Sequence, residues 1–223
     1  MPTRFFNKSH RIFISILTLI AASLSSACSV FGLSTVEEAP YELVRKDNRF
    51  EIREYATLVM AETRVSADYE KAGNKAFRQL FRYISGDNES STKISMTAPV
   101  IADEQAASEG ESIAMTAPVT SEQDGDQWRY GFVLPDTYTI DSAPRPLNPA
   151  VTLVEVPSKQ VASVRYSGRA TQTARRVNAE SLKTWLEEQG LKSLSEPRWA
   201  GYNPPFTIPW FRRNEVLIDV ETR

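Results

Sequence analysis

The hydrophobic and polar positions along the chain predict two halves with the same order of elements. In the first half, alternating apolar and polar residues predict strands over 50–55 and 58–65. Apolar residues at every third or fourth position then predict a helix over 68–85, with Asp68 as its N-cap and Gly86 as its C-terminal stop. Three further strands are predicted in this half, over 93–100, 112–119 and 128–134.

The second half repeats this order. Alternation predicts strands over 151–156 and 161–167, and an apolar stripe predicts a helix over 171–189 that ends at Gly190. Two more strands are predicted over 199–202 and 215–220. Because the interval from the second strand to the helix stop is nearly equal in both halves, we predict two strand–strand–helix–strand–strand units related by a pseudo-two-fold axis. Joined sheets give an α+β fold, with one antiparallel sheet or barrel and the helices packed outside.

The N-terminal segment has the features of an export signal. Residues 1–11 are basic, residues 12–24 are mostly apolar, and small residues lead to Cys28. An apolar run of this length is too short for a relaxed membrane span and is typical of a signal peptide. Two interpretations fit: an ordinary signal cleaved nearby, with Cys28 incidental, or a lipoprotein signal cleaved before Cys28. The segment resembles a lipobox, although Ser25 stands where leucine is usual.

On the lipoprotein interpretation, residues 1–27 are the signal peptide and residues 28–40 are a lipid-anchored tether. The membrane is then a partner through the lipid on Cys28, and the protein lies in the cell envelope, on the periplasmic face. Ser29 after the anchor resembles the outer-membrane sorting signal of Gram-negative bacteria, so in such an organism we expect the outer membrane.

Composition argues against several classes of function. The formal net charge is −2, and three cations leave with the predicted signal, whereas nucleic-acid binding needs a basic footprint. The only histidine, His10, leaves with the same segment, and Cys28 is the only cysteine. The mature chain therefore cannot run a Ser-His-Asp or Cys-His mechanism, build a Cys/His zinc site or attach haem through C-x-x-C-H. We predict a protein that is not an enzyme and has no metal site.

One short phrase occurs twice, as Ile-Ser-Met-Thr-Ala-Pro-Val at 94–100 and as Ile-Ala-Met-Thr-Ala-Pro-Val at 113–119. In an extended strand, Ile94, Met96 and Ala98 share one face, and the corresponding residues of the second copy do the same. The proline that follows belongs at a strand edge or end. A polar spacer joins the copies, which predicts a long hairpin with Met96 and Met115 on a common face. Each methionine is either a gap-filling core residue or a flexible thioether at the mouth of an apolar pocket.

The aromatic and proline-rich segment 202–211 has two interpretations. It is either a rigid crossing packed on the barrel or a pocket wall that stacks on a planar ligand. The next four residues, Arg-Arg-Asn-Glu at 212–215, form either a local network of ion pairs and hydrogen bonds or a clamp for ligand carboxylates. The candidate ligand-binding residues are Met96, Met115, Tyr202, Phe206, Trp210, Phe211 and Arg212.

Five motifs follow one another along the chain. They are A-F-x-x-L-F-x-Y-I-x-G at 76–86, the repeated I-x-M-T-A-P-V at 94–100 and 113–119, F-V-L-P at 132–135, V-R-Y-S-G at 164–168 and Y-N-P-P…R-R-N-E-V at 202–216. Together they resemble the SOUL haem-binding protein family, over about Tyr41 to Val220. The resemblance implies a SOUL-type domain over 41–223, folded as a distorted antiparallel β-barrel of two repeated βαββ-type halves with helices outside. The implied fold is also similar to the effector-binding domains of some bacterial transcription regulators, but this chain has no room for a DNA-reading domain.

The resemblance implies binding of haem or another tetrapyrrole. The mature chain has no histidine, so the groups available to ligate haem iron are Met96, Met115, Met60, a tyrosine or water. The remaining alternative is that the iron has no protein ligand. Binding would then rest on apolar enclosure of the ring, with Arg or Lys meeting the propionates. We predict an envelope-anchored binding protein for haem, porphyrin or a similar small, flat, apolar ligand. The alternative is a structural or interaction protein of the envelope, whose barrel surface binds a protein partner that the sequence does not identify.

Overall fold

The fold is built on one large antiparallel sheet. A computed structural model describes residues 36–89, 110–204 and 206–221. Nine strands pair in the order β10-β4-β8-β7-β12-β13-β11-β3-β2, and this sheet curls strongly into a half-barrel. The nine are β2 (Tyr41–Asp47), β3 (Phe50–Tyr55), β4 (Leu58–Val65), β7 (Val119–Asp124), β8 (Gln127–Val133), β10 (Val151–Val156), β11 (Lys159–Tyr166), β12 (Arg198–Gly201) and β13 (Asn214–Val220). Two short pairs lie beside it: β1 (Glu37–Glu38) with β6 (Thr116–Ala117), and β5 (Asn88–Glu89) with β9 (Arg145–Pro146).

In the part of the chain that the structure describes, two α-helices cover the outer face of the sheet. Helix α1 spans Tyr69–Ile84 and packs on β4 and β8, and helix α2 spans Gln172–Glu188 and packs on β11 and β13. Thr171 caps α2, because its hydroxyl accepts a hydrogen bond from the Ala174 N–H at 3.2 Å. Asp68 occupies the corresponding position before α1 but makes no capping hydrogen bond with its side chain.

Three hydrophobic clusters form the core of the described residues. The α1 cluster lies between α1 and β4, β8 and β10, and the α2 cluster lies between α2 and β3, β11 and β13. The third cluster occupies the inner face of the curl, opposite the helices. Its buried members are Ala39, Tyr55, Met60, Ala117, Val133, Val161, Ala200, Tyr202 and Leu217. Because successive strand residues face opposite sides, β4, β8, β11 and β13 each supply both an outer cluster and the inner cluster.

The predicted class, α+β with an antiparallel sheet or distorted barrel and helices outside, is confirmed, and the sheet is curled into a half-barrel; the two repeated halves stay a prediction. The bounds of β3 and β4 agree with the prediction, and those of the helices agree within one residue at each end. The predicted strand over 112–119 is wrong in extent: β6 ends at Ala117, the Ala117–Pro118 bond is cis, and β7 continues from Val119. The predicted strand over 93–100 lies outside the described residues, so the long hairpin stays a prediction, as does the pseudo-two-fold axis.

Candidate functional site

A cavity of about 300 Å³ lies on the inner face of the sheet and is partly open to solvent. This volume is at the lower end of the roughly 300–1,000 Å³ found for small-molecule sites. Alternation along β4 explains how one strand contributes: Leu58, Met60 and Glu62 face the cavity, whereas Val59 and Ala61 belong to the α1 cluster. The larger apolar side chains of the wall come from five strands and are Leu58, Met60, Val133, Val154, Val156, Val161 and Leu217.

Met60 owes its position in the wall to a glycine on the neighbouring strand. A Cβ atom at Gly131 would lie 2.6 Å from the Met60 Cε atom, which is closer than van der Waals contact allows. The absent side chain therefore leaves room for the thioether beside the cavity. A flexible, polarisable side chain in this place can adapt to an apolar ligand.

A first charged group stands on the β7–β8–β4 side of the cavity. The Arg129 guanidinium lies between two carboxylates: it pairs with Glu62 at 3.6 Å and forms a close ion pair with Glu122. All three side chains line the cavity. With two acids for one base, this side carries an excess of negative charge.

A second charged group has the opposite balance. The Lys159 ammonium and the Arg198 guanidinium each donate to the Asp219 Oδ2 atom at 2.8 Å. Burial alone would raise the pKa of Asp219, but the hydrogen bonds and charges of Arg198 and Lys159 outweigh burial and lower this pKa below its ordinary value. Lys159 and Arg198 both line the cavity. Because two cations share one carboxylate, this group keeps a positive excess that can attract a ligand anion, although the Glu155 carboxylate also lines the cavity.

A buried ion network supports the floor beside the cavity. The Glu215 carboxylate, fully buried, accepts hydrogen bonds from Arg53 at 2.6 and 3.0 Å, from Arg213 Nε at 2.9 Å and from the Tyr202 hydroxyl at 2.8 Å. Arg213 also pairs with Glu38 at 2.7 Å. For Arg213 and Glu215, the interpretation as a local network is confirmed.

The phenols near the cavity are held in their neutral form. Burial raises the pKa of Tyr55, which lines the cavity. Burial, followed by the nearby Glu215 charge, raises the pKa of Tyr202 well above its ordinary value. Neither side chain is therefore predisposed to supply a phenolate to a metal ion.

The predicted ligand-binding residues lie in three different environments. Met96 is outside the described residues. Met115 is half-buried against the α1 cluster, and Tyr202 is buried in the Glu215 network. Phe206, Trp210 and Phe211 are exposed on the β12–β13 loop, and the half-buried Arg212 donates to the Thr207 carbonyl at 2.8 Å. No described member of the predicted set lines the cavity, and their role in ligand binding stays a prediction.

All the residues that line the cavity lie outside the predicted ligand-binding set. Met60 enters the sequence analysis only as a possible iron ligand, and sequence reasoning missed Arg129, Lys159 and Arg198. The alternation of apolar and polar residues in β4 and β11 was a usable signal for which side chains face inward. It could not show that these strands curve towards each other around a cavity.

Family comparison agrees with the motifs. A sequence profile described as "SOUL heme-binding protein" matches residues 36–219. The chain belongs to the SOUL family. It is 27% identical to "Heme-binding protein 1" of Xenopus tropicalis over 193 residues, which is 84% of this chain and 93% of that protein. It is 29% identical to "Heme-binding protein 2" of Homo sapiens over 187 residues, which is 81% of this chain and 82% of that protein. Both relatives are named as binding proteins.

Solved structures share the fold of this SOUL protein at low sequence identity. The C-terminal domain of EcmrR matches with a TM-score of 0.53 and 12% identity, over 82% of this chain and 99% of that domain. An uncharacterized conserved protein from Listeria innocua matches with a TM-score of 0.51 and 14% identity, over 78% of this chain and 93% of that chain. At such identities the likeness concerns the fold alone.

The described part of the SOUL domain has neither a metal-binding cluster nor a membrane-spanning helix. Within residues 36–89, 110–204 and 206–221, no group of three or more His, Cys, Asp or Glu side chains is arranged to hold a metal ion. In the same ranges, neither helix has the length and apolar character needed to cross a bilayer.

A buried arginine connects the two helices on the outer face of the SOUL domain. Arg175 of α2 is only 6% exposed, and its Cζ atom lies 3.4 Å from the ring centroid of Tyr69 at the start of α1. The rings of Trp199 and Trp128 lie 5.3 and 5.9 Å from the same atom. Its Nε and Nη1 atoms have no hydrogen-bond partner among the described residues. Cation–π contacts, rather than an ion pair with a carboxylate, therefore hold this side chain.

Proposed function

We propose that this SOUL protein binds haem, another tetrapyrrole or a similar flat apolar ligand in the inner-face cavity, while a lipid on Cys28 anchors it in the cell envelope. The observation that carries the proposal is the cavity itself, with apolar walls and one positively biased side. Family membership and the names of the heme-binding relatives support the ligand class. A cavity of about 300 Å³ suits one edge of a large ring, with the rest of the ring at the open side.

The chemistry of the wall fits the ring better than its metal. Met60 offers the only sulfur among the described lining residues, and the phenol of Tyr55 stays protonated. The sole histidine of the chain, His10, lies in the predicted signal. Recognition would therefore rest mainly on apolar contact with the macrocycle, and iron-free porphyrin should bind comparably to haemin. Met60 is the residue available to add a thioether contact to iron.

Carboxylate groups of the ligand are expected at Lys159 and Arg198. These two cations share Asp219, so an additional anion meets net positive charge there. The lining also holds three carboxylates, Glu62, Glu122 and Glu155, of which the first two pair with Arg129. Contact with Lys159 and Arg198 would turn the acidic edge of the ring towards β11 and β12.

The test is a titration of the purified protein with haemin and with protoporphyrin, followed by porphyrin absorbance. Leu58→Trp fills the cavity and should weaken binding of both by about tenfold or more, which is about 1.4 kcal/mol. Leu147→Trp adds the same ring at an exposed leucine that does not line the cavity, and should leave binding unchanged. Lys159→Gln, a second variant that leaves the wall intact, should weaken binding and reduce its salt dependence.

The titration distinguishes three questions: where the ligand binds, whether iron needs a protein ligand, and whether the ligand is a tetrapyrrole. A folded Leu58→Trp protein that binds like the wild type would overturn the cavity as the site. Saturable binding of haemin alone would show that iron needs a protein ligand, and Met60→Leu would then be the next variant. If neither compound binds saturably, the tetrapyrrole proposal is wrong.

The anchor is tested separately by Cys28→Ser. The basic, apolar and small-residue segments before Cys28 support cleavage at that position and lipidation of its sulfur. We expect the variant to leave the membrane fraction or to stay unprocessed, because one thioether carries the whole attachment. Mass spectrometry of the wild-type N-terminus is the direct check. Unchanged fractionation together with an unmodified mature N-terminus would exclude the lipoprotein interpretation.

A second candidate function is binding of a protein partner through the outer surface. The Phe77 and Phe81 rings stack on α1 with centroids 5.8 Å apart and an interplanar angle of 12°, and both rings are exposed. Exposed aromatic surface of this kind often marks an interaction site. Absence of porphyrin binding in the titration would favour this alternative.

A further inference from the structure

Three of the exposed aromatic residues lie together on the β12–β13 loop. Trp210 is 70% exposed, Phe206 is 64% exposed and Phe211 is 46% exposed. They lie within six positions of one another, and Trp210 and Phe211 are in direct contact, with ring centroids 6.5 Å apart. Leaving such rings in water is unfavourable, so a cluster of them on one loop indicates a surface that is normally covered.

This aromatic loop, residues 206–211, is held in a defined conformation. Its 3₁₀ turn closes through the Phe211 N–H, which donates to the Ile208 carbonyl at 2.9 Å. The Pro209 carbonyl accepts from the Gly168 N–H at 2.9 Å, and this bond ties the loop to the connection before α2. The aromatic rings are therefore displayed by fixed backbone, and little conformational entropy is lost when they contact a partner.

The point where the chain enters the domain lies beside this loop. Arg213, which follows the loop, pairs with Glu38 of β1 at 2.7 Å. The Tyr202 N–H, at the other end of the loop, donates to the Arg213 carbonyl at 3.2 Å. Only eight positions separate Cys28 from Val36, the first described residue, and this span reaches roughly 30 Å even when fully extended. A lipid on Cys28 would therefore keep the loop side of the domain close to the bilayer.

We infer that the aromatic loop inserts Phe206, Trp210 and Phe211 into the interface of the bilayer that holds the anchor. Tryptophan is favoured at the level of the lipid headgroups, where its ring contacts acyl chains and its N–H stays hydrated. Exposed Arg169, next to Gly168, adds a positive charge for anionic lipid. The inference rests on the proposed anchor, because tethering makes loop contact intramolecular and allows a weak insertion to be populated.

The bilayer fits this surface better than a ligand or a second protein does. The described part of the loop does not line the cavity, so its rings do not enclose a ligand there. The short tether leaves the domain at Val36–Ala39, next to the loop and remote from α1, so this side rather than α1 is held towards lipid. The loop thus acts with the anchor to fix the orientation of the domain on the membrane.

The experiment uses the protein as the cell processes it, reconstituted in phosphatidylethanolamine–phosphatidylglycerol vesicles with and without brominated acyl chains. Bromine quenches tryptophan fluorescence on contact. The chain has four tryptophans, and the other three, Trp128, Trp185 and Trp199, are buried or half-buried. We expect quenching in the wild type and its loss in Trp210→Phe.

A relocated tryptophan supplies the matched control. Leu194 is exposed, and its N–H donates to the Asp219 carbonyl near the far end of β13, roughly 20 Å from the loop along the strand. In Trp210→Phe/Leu194→Trp, the exposed indole is restored at a site that should not meet lipid, so quenching should stay absent. Equal quenching at position 194 would mean that the domain has no fixed orientation, and would overturn the inference.

Failure of the anchor and failure of the loop contact are distinguishable. If Cys28 proves to be unmodified in the mature protein, its thiol, the only one in the chain, can be coupled to a maleimide phospholipid in the same vesicles. Quenching of Trp210 in this tethered protein would support the loop contact without a native lipid. Absence of quenching in a protein held on vesicles by either route overturns it. So does Trp210→Phe if it weakens porphyrin binding as much as Leu58→Trp does, because the loop would then be the ligand site.

Discussion

Glu215→Ala is expected to lower the free energy of unfolding by about 3–5 kcal/mol, the range for breaking a buried ion pair. The carboxylate is fully buried and accepts four hydrogen bonds, two from Arg53 and one each from Arg213 and Tyr202. Without it, the Nη1 atom of the buried Arg53 side chain is left with a long hydrogen bond to the Tyr55 hydroxyl at 3.5 Å, although Glu51 still accepts from Nε and Nη2. Urea unfolding followed by tryptophan fluorescence measures the loss.

Glu38→Ala is the matched control for this variant. Glu38 pairs with Arg213, the same arginine that contacts Glu215, but the Glu38 side chain is 40% exposed. Pairs in contact with solvent contribute only about 0–1 kcal/mol, so the control should unfold close to the wild type. Equal losses from both substitutions would show that burial of Glu215 is not what makes its contacts important.

The effect of Glu215→Ala should also depend on pH. Burial alone would raise the pKa of Glu215, but the hydrogen bonds and charge of Arg53, with the charge of Arg213, lower this pKa below its ordinary value of 4.5. A carboxyl with a lowered folded-state pKa contributes its full stability above about pH 4.5, and this contribution is lost as the pH falls through the folded-state pKa. The difference between wild type and variant should therefore be largest near neutral pH and shrink in acid. A difference that grows on acidification would contradict this assignment.

Strands that pack at least one face could be predicted from the sequence, and strands that are exposed or mostly polar could not. β4 alternates between the α1 cluster and the cavity, and this alternation placed its ends correctly. β2 is an edge strand and is exposed along nearly its whole length, so no buried face imposes a period on its residues. β7 is mostly polar because its inner face meets Arg129 and its outer end is solvated. For both strands, pairing with a neighbour rather than local pattern decides the structure.

The candidate site depends on contacts that no local pattern contains. Arg53 and Glu215 are 162 positions apart and meet because β3 and β13 both pair with β11. The cavity likewise requires the curl of the sheet, which brings β4 and β11 within reach of one ligand. The repeated phrase, by contrast, is visible in the sequence, but it does not indicate which face of the sheet its methionine occupies. Met115 faces the α1 cluster, whereas Met60, which is not part of a repeat, faces the cavity.

Leu80→Ala and Leu182→Ala are each expected to lower the free energy of unfolding by about 2–5 kcal/mol. Both side chains have 0% exposure, Leu80 under α1 and Leu182 under α2, so each substitution leaves a cavity in a different cluster. Exposed Leu147→Ala is the control and should change stability by no more than about 0.5 kcal/mol. Urea unfolding, followed by tryptophan fluorescence and circular dichroism, measures all three variants.

The double variant Leu80→Ala/Leu182→Ala tests whether the α1 and α2 clusters unfold together. The α1 and α2 clusters have no residue in common, so the two losses should add to within about 0.3–0.5 kcal/mol. Added losses approach the whole stability of a domain, about 5–15 kcal/mol, so the comparison is made in trimethylamine N-oxide, which favours the folded state of every variant. We still expect one transition by both probes, because strands β7 and β12 pair continuously across the middle of the sheet and transmit unfolding from one side to the other. Two separated transitions would instead show that each helix and its strands fold as an independent unit.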